Sequence, residues 1–176
     1  MEPHIPLIIW LTGRPCSGKT TIAKRLIEEL EQKFGSIMLL DGDLFRASRG
    51  RGFTKEDREA NMMEAFELAL NTAFHTQPVV AAFVSPYRDI RLKIKSLSYV
   101  RFIEVYVDCS LEECEKRDVK GMYAKARAGK LPNFTGIDQP YEEPLDPDVI
   151  CYTGTETVDE SVEKIVSSVL SFHSDQ

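Results

Sequence analysis

Eight residues near the start of the chain, GRPCSGKT at 13–20, have the composition of a loop that binds phosphate. Gly13, Gly18, Lys19 and Thr20 match the pattern GxxxxGK[S/T] between an apolar segment and an amphipathic one. Glycines let backbone N–H groups approach phosphate oxygens, and the lysine adds a mobile cation that makes Lys19 a candidate catalytic residue. We therefore predict that the chain binds ATP, with Mg²⁺ held by the Thr20 hydroxyl. The predicted ATP contacts in this loop are Gly13, Arg14, Pro15, Cys16, Ser17, Gly18, Lys19, Thr20 and Thr21.

Two carboxylates follow the second apolar segment, in the sequence LLDGD at 39–43. A carboxylate at the end of such a strand can accept the proton of an attacking hydroxyl and help to organise Mg²⁺ and its waters. Alternate residues of a strand point to opposite faces, so we predict that only one of the two faces the acceptor, Asp43 rather than Asp41. The alternative is that DGD is no more than a turn.

Basic side chains are concentrated in two segments of an acidic protein, whose formal net charge is -6. That balance argues against a general nucleic-acid or membrane-surface binder. Residues 46–58 hold five basic and two acidic side chains, including Arg51, and predict the binding surface of an anionic acceptor. Residues 116–130 hold six basic side chains and one acidic, and predict a lid whose Lys125, Arg127 and Lys130 neutralise the transferring phosphoryl group.

The elements that must position these residues alternate between strand and helix, which is typical of a parallel sheet covered by helices. Strands are predicted at 7–13, 36–43, 78–87, 101–108 and 149–155. Helices are predicted at 19–34, 54–75, 88–97, from 110 and at 157–172, with capping boxes at Thr54 and Ser110. The long connection at 117–147 is predicted to be a partly helical lid. We predict one three-layer α/β domain over 1–176, a P-loop nucleoside-kinase-like fold with a five-stranded parallel sheet.

The sequence also favours a cytoplasmic protein. Its longest apolar run, VVAAFV at 79–84, is far shorter than the roughly 20 residues that span a bilayer. The N-terminus lacks the pattern of a secretory signal. The four cysteines have no CxxC spacing, so we interpret them as reduced thiols.

The chain resembles the adenylylsulfate (APS) kinase family over most of residues 8–150. The matching stretches, in family order, are IIWLTGRPCSGKTTIA, LLDGD with the following Arg46, GFTKEDREANM, FVSPYR, IEVYVDCSLEECEKRDVKGMYAKARAGK and NFTGIDQPYEEP. The resemblance implies phosphorylation of the 3'-hydroxyl of APS by MgATP, giving 3'-phosphoadenylylsulfate. It also implies a homodimer.

The resemblance also assigns residue roles. It supports Asp43 as the base, which is predicted to contact Mg²⁺ as well, and it makes Arg117 a contact of the ATP adenine. Ser85 matches a serine described as a phosphoserine intermediate, although direct in-line transfer requires none. Phe53 and Phe134 correspond to an aromatic pair that encloses the acceptor adenine. The implied acceptor contacts are Asp41, Arg46, Phe53, Arg58, Asn61, Val84, Ser85, Lys120 and Phe134.

The chain departs from the family pattern beside the acceptor. Leu44 stands where the family commonly has asparagine, and the 46–53 loop is about two residues shorter and has no asparagine. An APS-kinase-like enzyme for another nucleotide-linked anion, such as a cytidine diphosphate derivative used in surface-polysaccharide modification, therefore remains an alternative. A non-catalytic nucleotide-sensing module is a third hypothesis.

Overall fold

Parallel strands form the centre of the computed structural model, which describes residues 6–50 and 52–171. In these residues five strands make one sheet in the order β2-β3-β1-β4-β5, with every neighbouring pair parallel. The strands are β1 (Leu7–Thr12), β2 (Met38–Asp41), β3 (Val79–Ala82), β4 (Arg101–Asp108) and β5 (Val149–Tyr152). The helices are α1 (Lys19–Phe34), α2 (Gly42–Ala47), α3 (Lys55–His75), α4 (Arg88–Leu97), α5 (Leu111–Arg117), α6 (Met122–Arg127) and α7 (Val158–Ser171).

The central strand β1 is buried on both faces, which explains its uninterrupted apolar sequence. Leu7, Ile9 and Leu11 pack on the side of α1 and α7. Ile8 and Trp10 pack on the side of α3 and α4. The predicted three-layer fold is therefore confirmed.

Local capping chemistry sets several helix boundaries at the predicted positions. The Thr54 hydroxyl accepts the Asp57 N–H at the start of α3, and the Ser110 hydroxyl accepts the Glu113 N–H at the start of α5. Gly35 ends α1 with a φ of 70°, a conformation that glycine adopts without steric cost. The bounds of α1, α4 and β4 agree with the prediction.

Four strands are shorter than predicted, β1 by one residue, and the difference at β2 changes the site. β2 ends at Asp41, whose side chain accepts the N–H groups of Asp43 and Leu44. This aspartate cap begins α2, a helix that the sequence analysis missed. The strand assignment of Asp43 was wrong, because Asp43 lies in α2 and strand alternation does not apply to it. That Asp43 and not Asp41 faces the acceptor stays a prediction. β3 and β5 end at Ala82 and Tyr152, and loops follow them.

The segment predicted as a lid has a small core of its own. Tyr123 of α6 and Phe134 pack with Cys109 and Cys114 behind the carboxyl end of β4. The carboxyl ends of β1, β2 and β3 meet at the neighbouring edge, where open α/β sheets bind their ligands. Over residues 6–50 and 52–171, no helix is long and apolar enough to cross a membrane.

Candidate active site

A cavity of about 400 Å³ lies at the carboxyl ends of β1, β2 and β3. The phosphate loop, α2, the start of α3, the 82–86 loop and the 117–134 segment surround it. The predicted site residues that line it are Pro15, Cys16, Gly18, Lys19, Thr20, Thr21, Asp41, Asp43, Arg46, Phe53, Arg58, Asn61, Val84, Ser85, Arg117, Lys120 and Phe134. The structure thus brings the predicted donor and acceptor residues into one space.

Three residues of the predicted phosphate loop do not line the cavity. Gly13 and Ser17 are buried behind the loop. A Cβ at Gly13 would lie 2.5 Å from the Val107 carbonyl oxygen, so the loop requires glycine there. The Arg14 side chain turns away, donates to the Cys109 carbonyl oxygen and the Glu143 carboxylate, and lies over the Tyr141 ring.

The Lys19 ammonium is folded back against its own loop. Its Nζ donates to the carbonyl oxygens of Gly13 at 2.9 Å and Arg14 at 2.7 Å, and the residue is only 8% exposed. Burial lowers the pKa of Lys19 to about 8, and the nearby Asp43 charge opposes that change. The carbonyl dipoles of Gly13 and Arg14 therefore compensate the burial of the ammonium only in part. Anionic oxygens in the cavity would raise the pKa of Lys19 back towards its ordinary value.

The Thr20 hydroxyl, predicted to bind Mg²⁺, donates to Asp41 Oδ2 at 3.0 Å. Asp41 and Asp43 also line the cavity. Among the residues that the structure describes, no group of three or more His, Cys, Asp and Glu could hold a metal ion. The donor set suits Mg²⁺, which keeps several waters and binds through nucleotide phosphates and few protein oxygens.

The Asp43 carboxylate contacts two cations. Its Oδ2 accepts from Lys120 Nζ at 2.6 Å, and its Oδ1 lies 3.5 Å from Arg46 Nη2. Burial raises the pKa of Asp43, but the hydrogen bond and charge of Lys120 and the charge of Arg46 outweigh burial and leave the pKa lowered. Asp43 is therefore ionised at neutral pH and able to accept a proton.

The two predicted aromatic side chains lie on loops that Arg58 joins. Arg58 Nε donates to the Phe53 carbonyl oxygen at 3.0 Å, and its Nη2 donates to the Asn133 carbonyl oxygen at 2.8 Å. The guanidinium carbons of Arg46 and Arg58 lie 4.2 and 5.3 Å from the centroid of the Phe53 ring. Phe134 is buried edge-on against another ring, that of Tyr123. Burial also lowers the pKa of Arg58.

Ser85 lines the cavity in a conformation that residues with a Cβ rarely adopt. Its φ is 46°, and the residue is 3% exposed. Its Oγ accepts a hydrogen bond from Trp10 Nε1 at 2.9 Å. The hydroxyl is thus already engaged behind the cavity wall.

The predicted lid cations Lys125, Arg127 and Lys130 are exposed and are not among the cavity residues. Tyr123 and Ala126 are the buried residues of α6, whereas Arg127 is exposed and pairs with Glu115. Lys120, which precedes α6, faces the cavity from this segment. Contact of the three lid cations with a transferring phosphoryl group stays a prediction.

Among the described residues, the departures from the family pattern reach the cavity wall only at the two ends of the shortened loop. Leu44 is 73% exposed and does not line the cavity. Arg49 pairs with Glu64, and its guanidinium carbon lies 3.4 Å from the centroid of the Phe45 ring. Arg51 lies outside the described residues. The shortened loop still places its first and last members, Arg46 and Phe53, against the cavity.

Sequence reasoning missed several residues of the site. The unpredicted cavity residues are Gly42, Met62, Ala82, Phe83, Pro86, Val119 and Met122. Thr153 was also missed: its hydroxyl donates to the Ser17 carbonyl oxygen at 2.7 Å, and its own carbonyl accepts from Arg117 Nη2 at 2.7 Å. Ala82 ends β3, and Phe83 and Thr153 directly follow β3 and β5. These positions were the available signal, since ligands bind at the carboxyl ends of parallel strands.

Comparisons with known proteins agree on one family. A family model described as adenylylsulphate kinase matches residues 5–152. An adenylyl-sulfate kinase of Rippkaea orientalis is 45% identical over 159 residues, which are 89% of this chain and 87% of that protein. The structure of the Mycobacterium tuberculosis APS kinase CysC in complex with AMPPNP and APS has a TM-score of 0.88 at 34% identity, covering 95% of this chain and 99% of that one. A gluconokinase from Sinorhizobium meliloti, 16% identical over 98% of this chain and 97% of its own, shares the fold with a TM-score of 0.66.

The pKa of Lys19 makes MgATP binding depend on pH. Above about pH 8 the free protein loses the Lys19 proton, whereas a bound triphosphate stabilises the ammonium. Binding should therefore take up close to one proton at about pH 9 and almost none at about pH 6.5, and the dissociation constant should rise about tenfold per pH unit above 8. Calorimetric titration in buffers of different ionisation enthalpy measures the uptake.

The matched control is Lys19→Met, which should bind MgATP more weakly and show no proton uptake from this group. Equal uptake by the wild type and Lys19→Met at high pH would contradict the assignment.

Proposed function

Since this chain belongs to the adenylylsulphate kinase family, we propose that its site transfers the γ-phosphoryl group of MgATP to the 3'-hydroxyl of APS. The product is 3'-phosphoadenylylsulfate. The observation that carries the proposal is that one cavity is lined by the phosphate loop, by Asp43 and by both Phe53 and Phe134. Donor phosphate, base and acceptor can meet there without a large rearrangement of the fold.

The charge of the cavity supports two anionic substrates. Its lining contains five basic and two acidic side chains, although the whole chain carries a net charge of -6. The basic residues are Lys19, Arg46, Arg58, Arg117 and Lys120. A triphosphate and a sulfated nucleotide would both be attracted to this local excess.

The contacts of Asp43 support its role as the base. Lys120 and Arg46 keep the carboxylate ionised, so Asp43 can accept the proton of the 3'-hydroxyl as the oxygen attacks the γ-phosphorus. The longer contact, between Oδ1 and Arg46, leaves that oxygen more open to the acceptor than Oδ2, which Lys120 holds at 2.6 Å. The Lys19 ammonium, released from the loop carbonyls, would stabilise charge on the transferring group.

Mg²⁺ would be held by the nucleotide phosphates, the Thr20 hydroxyl and waters that contact Asp41 and Asp43. When bound it supplies neutralisation of phosphate charge. Phe53 and Phe134 both line the cavity, which supports an acceptor adenine between their rings.

We also propose a cytoplasmic homodimer. The four cysteines are free thiols in the structure, in keeping with a reducing compartment. The rings of Phe74 and Tyr99 are exposed with centroids 5.4 Å apart, and Leu97 is exposed at the end of α4, so that a second copy could cover these side chains. Light scattering on the purified protein should then give twice the mass of the chain.

The acceptor prediction is tested with a substrate panel. With saturating MgATP, kcat/KM for APS should exceed that for adenosine 5'-phosphate and for cytidine diphosphate derivatives by about 100-fold or more, because unpaired polar groups in the site penalise a wrong nucleotide. Separation of the 3'-phosphorylated product measures the rates. A preference for a cytidine nucleotide would favour the alternative enzyme, and no turnover of any member would favour the nucleotide-sensing module.

Replacing the base separates chemistry from binding. Asp43→Asn should lower kcat by about 10²- to 10⁴-fold, since a positioned general base contributes that much. The dissociation constant of MgATP should change by less than about threefold. Asp159→Asn, which changes an exposed carboxylate paired with Arg25, is the control and should keep full activity. Unchanged turnover in Asp43→Asn would remove Asp43 from the role of base.

Ser85 is expected to shape the wall and not to carry phosphate. Ser85→Ala should keep kcat within about tenfold of the wild type but lower the free energy of unfolding by about 1–3 kcal/mol, because the buried Trp10 N–H loses its acceptor. Urea denaturation and the kinase assay measure the two effects. A phosphorylated Ser85 trapped during turnover, or a loss as large as that of Asp43→Asn, would establish a covalent intermediate instead.

A further inference from the structure

Val84, Ser85 and Pro86 line the cavity and are called the acceptor wall below. Arg91 lies behind this wall and is not among the cavity residues. It belongs to α4 and is 3% exposed. Its three nitrogens donate to three different parts of the chain: Nε to Glu104 Oε1 at 3.2 Å, Nη1 to the Ser85 carbonyl oxygen at 2.5 Å, and Nη2 to the Glu142 carbonyl oxygen at 2.5 Å. A planar guanidinium can satisfy three such acceptors at once, whereas an ammonium on a lysine stem cannot reproduce this geometry.

The first backbone acceptor belongs to the strained turn of the acceptor wall. Ser85 has a left-handed φ of 46°, which persists only where surrounding contacts enforce it. Trp10 holds the Ser85 hydroxyl, and Thr12 Oγ1 donates to the Val84 carbonyl oxygen at 2.9 Å. The Ser85 carbonyl oxygen accepts from Arg91 Nη1 at 2.5 Å and from Thr12 Oγ1 at 3.4 Å.

The second backbone acceptor belongs to the segment that carries Phe134. Glu142 N–H donates to the Pro86 carbonyl oxygen at 2.8 Å, and the hydroxyls of Tyr141 and Thr12 lie 2.9 Å apart. Arg91 therefore bridges the 84–86 wall and the 133–143 segment through one backbone carbonyl oxygen of each.

We propose that Arg91 is a positioning residue for the acceptor, which holds the Val84 and Ser85 wall in register with the segment that bears Phe134. The proposal rests on the proposed function, because it concerns the acceptor half of that site. It assigns the donor half no dependence on Arg91, since Thr12 and Gly13 retain their own hydrogen bonds to Val84.

Replacing Arg91 alone would not separate an effect on substrate positioning from an effect on folding, because the buried Glu104 carboxylate would lose its partner. Burial raises the pKa of Glu104, and the Arg91 charge opposes that change. Removing Arg91 alone would leave an uncompensated buried carboxylate, whereas replacing both partners by apolar groups of similar volume is often neutral for stability. The informative variant is therefore Arg91→Met combined with Glu104→Met.

The experiment compares this double variant and Arg91→Lys with the wild type under conditions where each is folded by circular dichroism. In both, kcat/KM for APS should fall by about 100-fold, the loss typical of a misplaced substrate. The dissociation constant of MgATP should stay within about threefold, because the donor half keeps its contacts. If Arg91 had a purely structural role, kcat/KM for APS and the dissociation constant of MgATP would worsen together. Alternatively, the loss of kcat/KM would be absent in the double variant, which leaves no unpaired buried charge.

The matched control is Arg101→Met. Arg101 also donates to two backbone carbonyl oxygens, those of Ser168 and Val169, but at the end of α7 away from the cavity. It should keep kcat/KM for APS within about threefold. If the double variant and Arg91→Lys keep the wild-type value for APS, or Arg101→Met loses as much, Arg91 is not a positioning residue. If the wild type itself does not turn over APS, the proposed function fails first.

Discussion

Burying the Lys19 ammonium in the phosphate loop removes it from water, and only oxygen atoms nearby can compensate for that loss. In this structure the carbonyl oxygens of Gly13 and Arg14 do so. These dipoles are a partial substitute, because the pKa of Lys19 still falls to about 8. The loop can close this tightly around the ammonium because Gly13 has no Cβ against Val107. The site is therefore built around a cation whose charge is fully satisfied only by a bound polyphosphate.

The acceptor half is tied to this loop through shared backbone and one carboxylate. Gly13 N–H and the Thr12 hydroxyl both donate to the Val84 carbonyl oxygen, so the end of β1 holds the wall after β3. Asp41 uses one oxygen for the Thr20 hydroxyl and the other to cap α2, the helix that carries Asp43. A displacement of the loop would therefore move Thr20, the proposed Mg²⁺ ligand, and Asp43, the proposed base, together.

The predictable parts of this molecule are those that local chemistry determines. The glycine-lysine loop, the caps at Thr54 and Ser110, and the apolar strands act over a few residues, and the structure contains them where the sequence placed them. The missed helix α2 depended on Asp41 acting as a cap where strand alternation was assumed. Lys120, which precedes α6, lines the cavity, whereas α6 buries Tyr123 and Ala126 and leaves Lys125 and Arg127 exposed. The charge pattern of the segment does not distinguish these cations. The network around Ser85 joins residues up to 75 positions apart, which no short pattern records.

The most direct test of the proposed mechanism is the crystal structure of this protein with AMPPNP, Mg²⁺ and APS. We expect the APS adenine between the rings of Phe53 and Phe134, and the 3'-oxygen within hydrogen-bonding distance of the Asp43 carboxylate and in line with the γ-phosphorus. We also expect that Lys19 Nζ has left the Gly13 and Arg14 carbonyl oxygens for the phosphates. An APS molecule bound elsewhere, or a 3'-oxygen remote from Asp43 with Lys19 still on its loop, would contradict this mechanism.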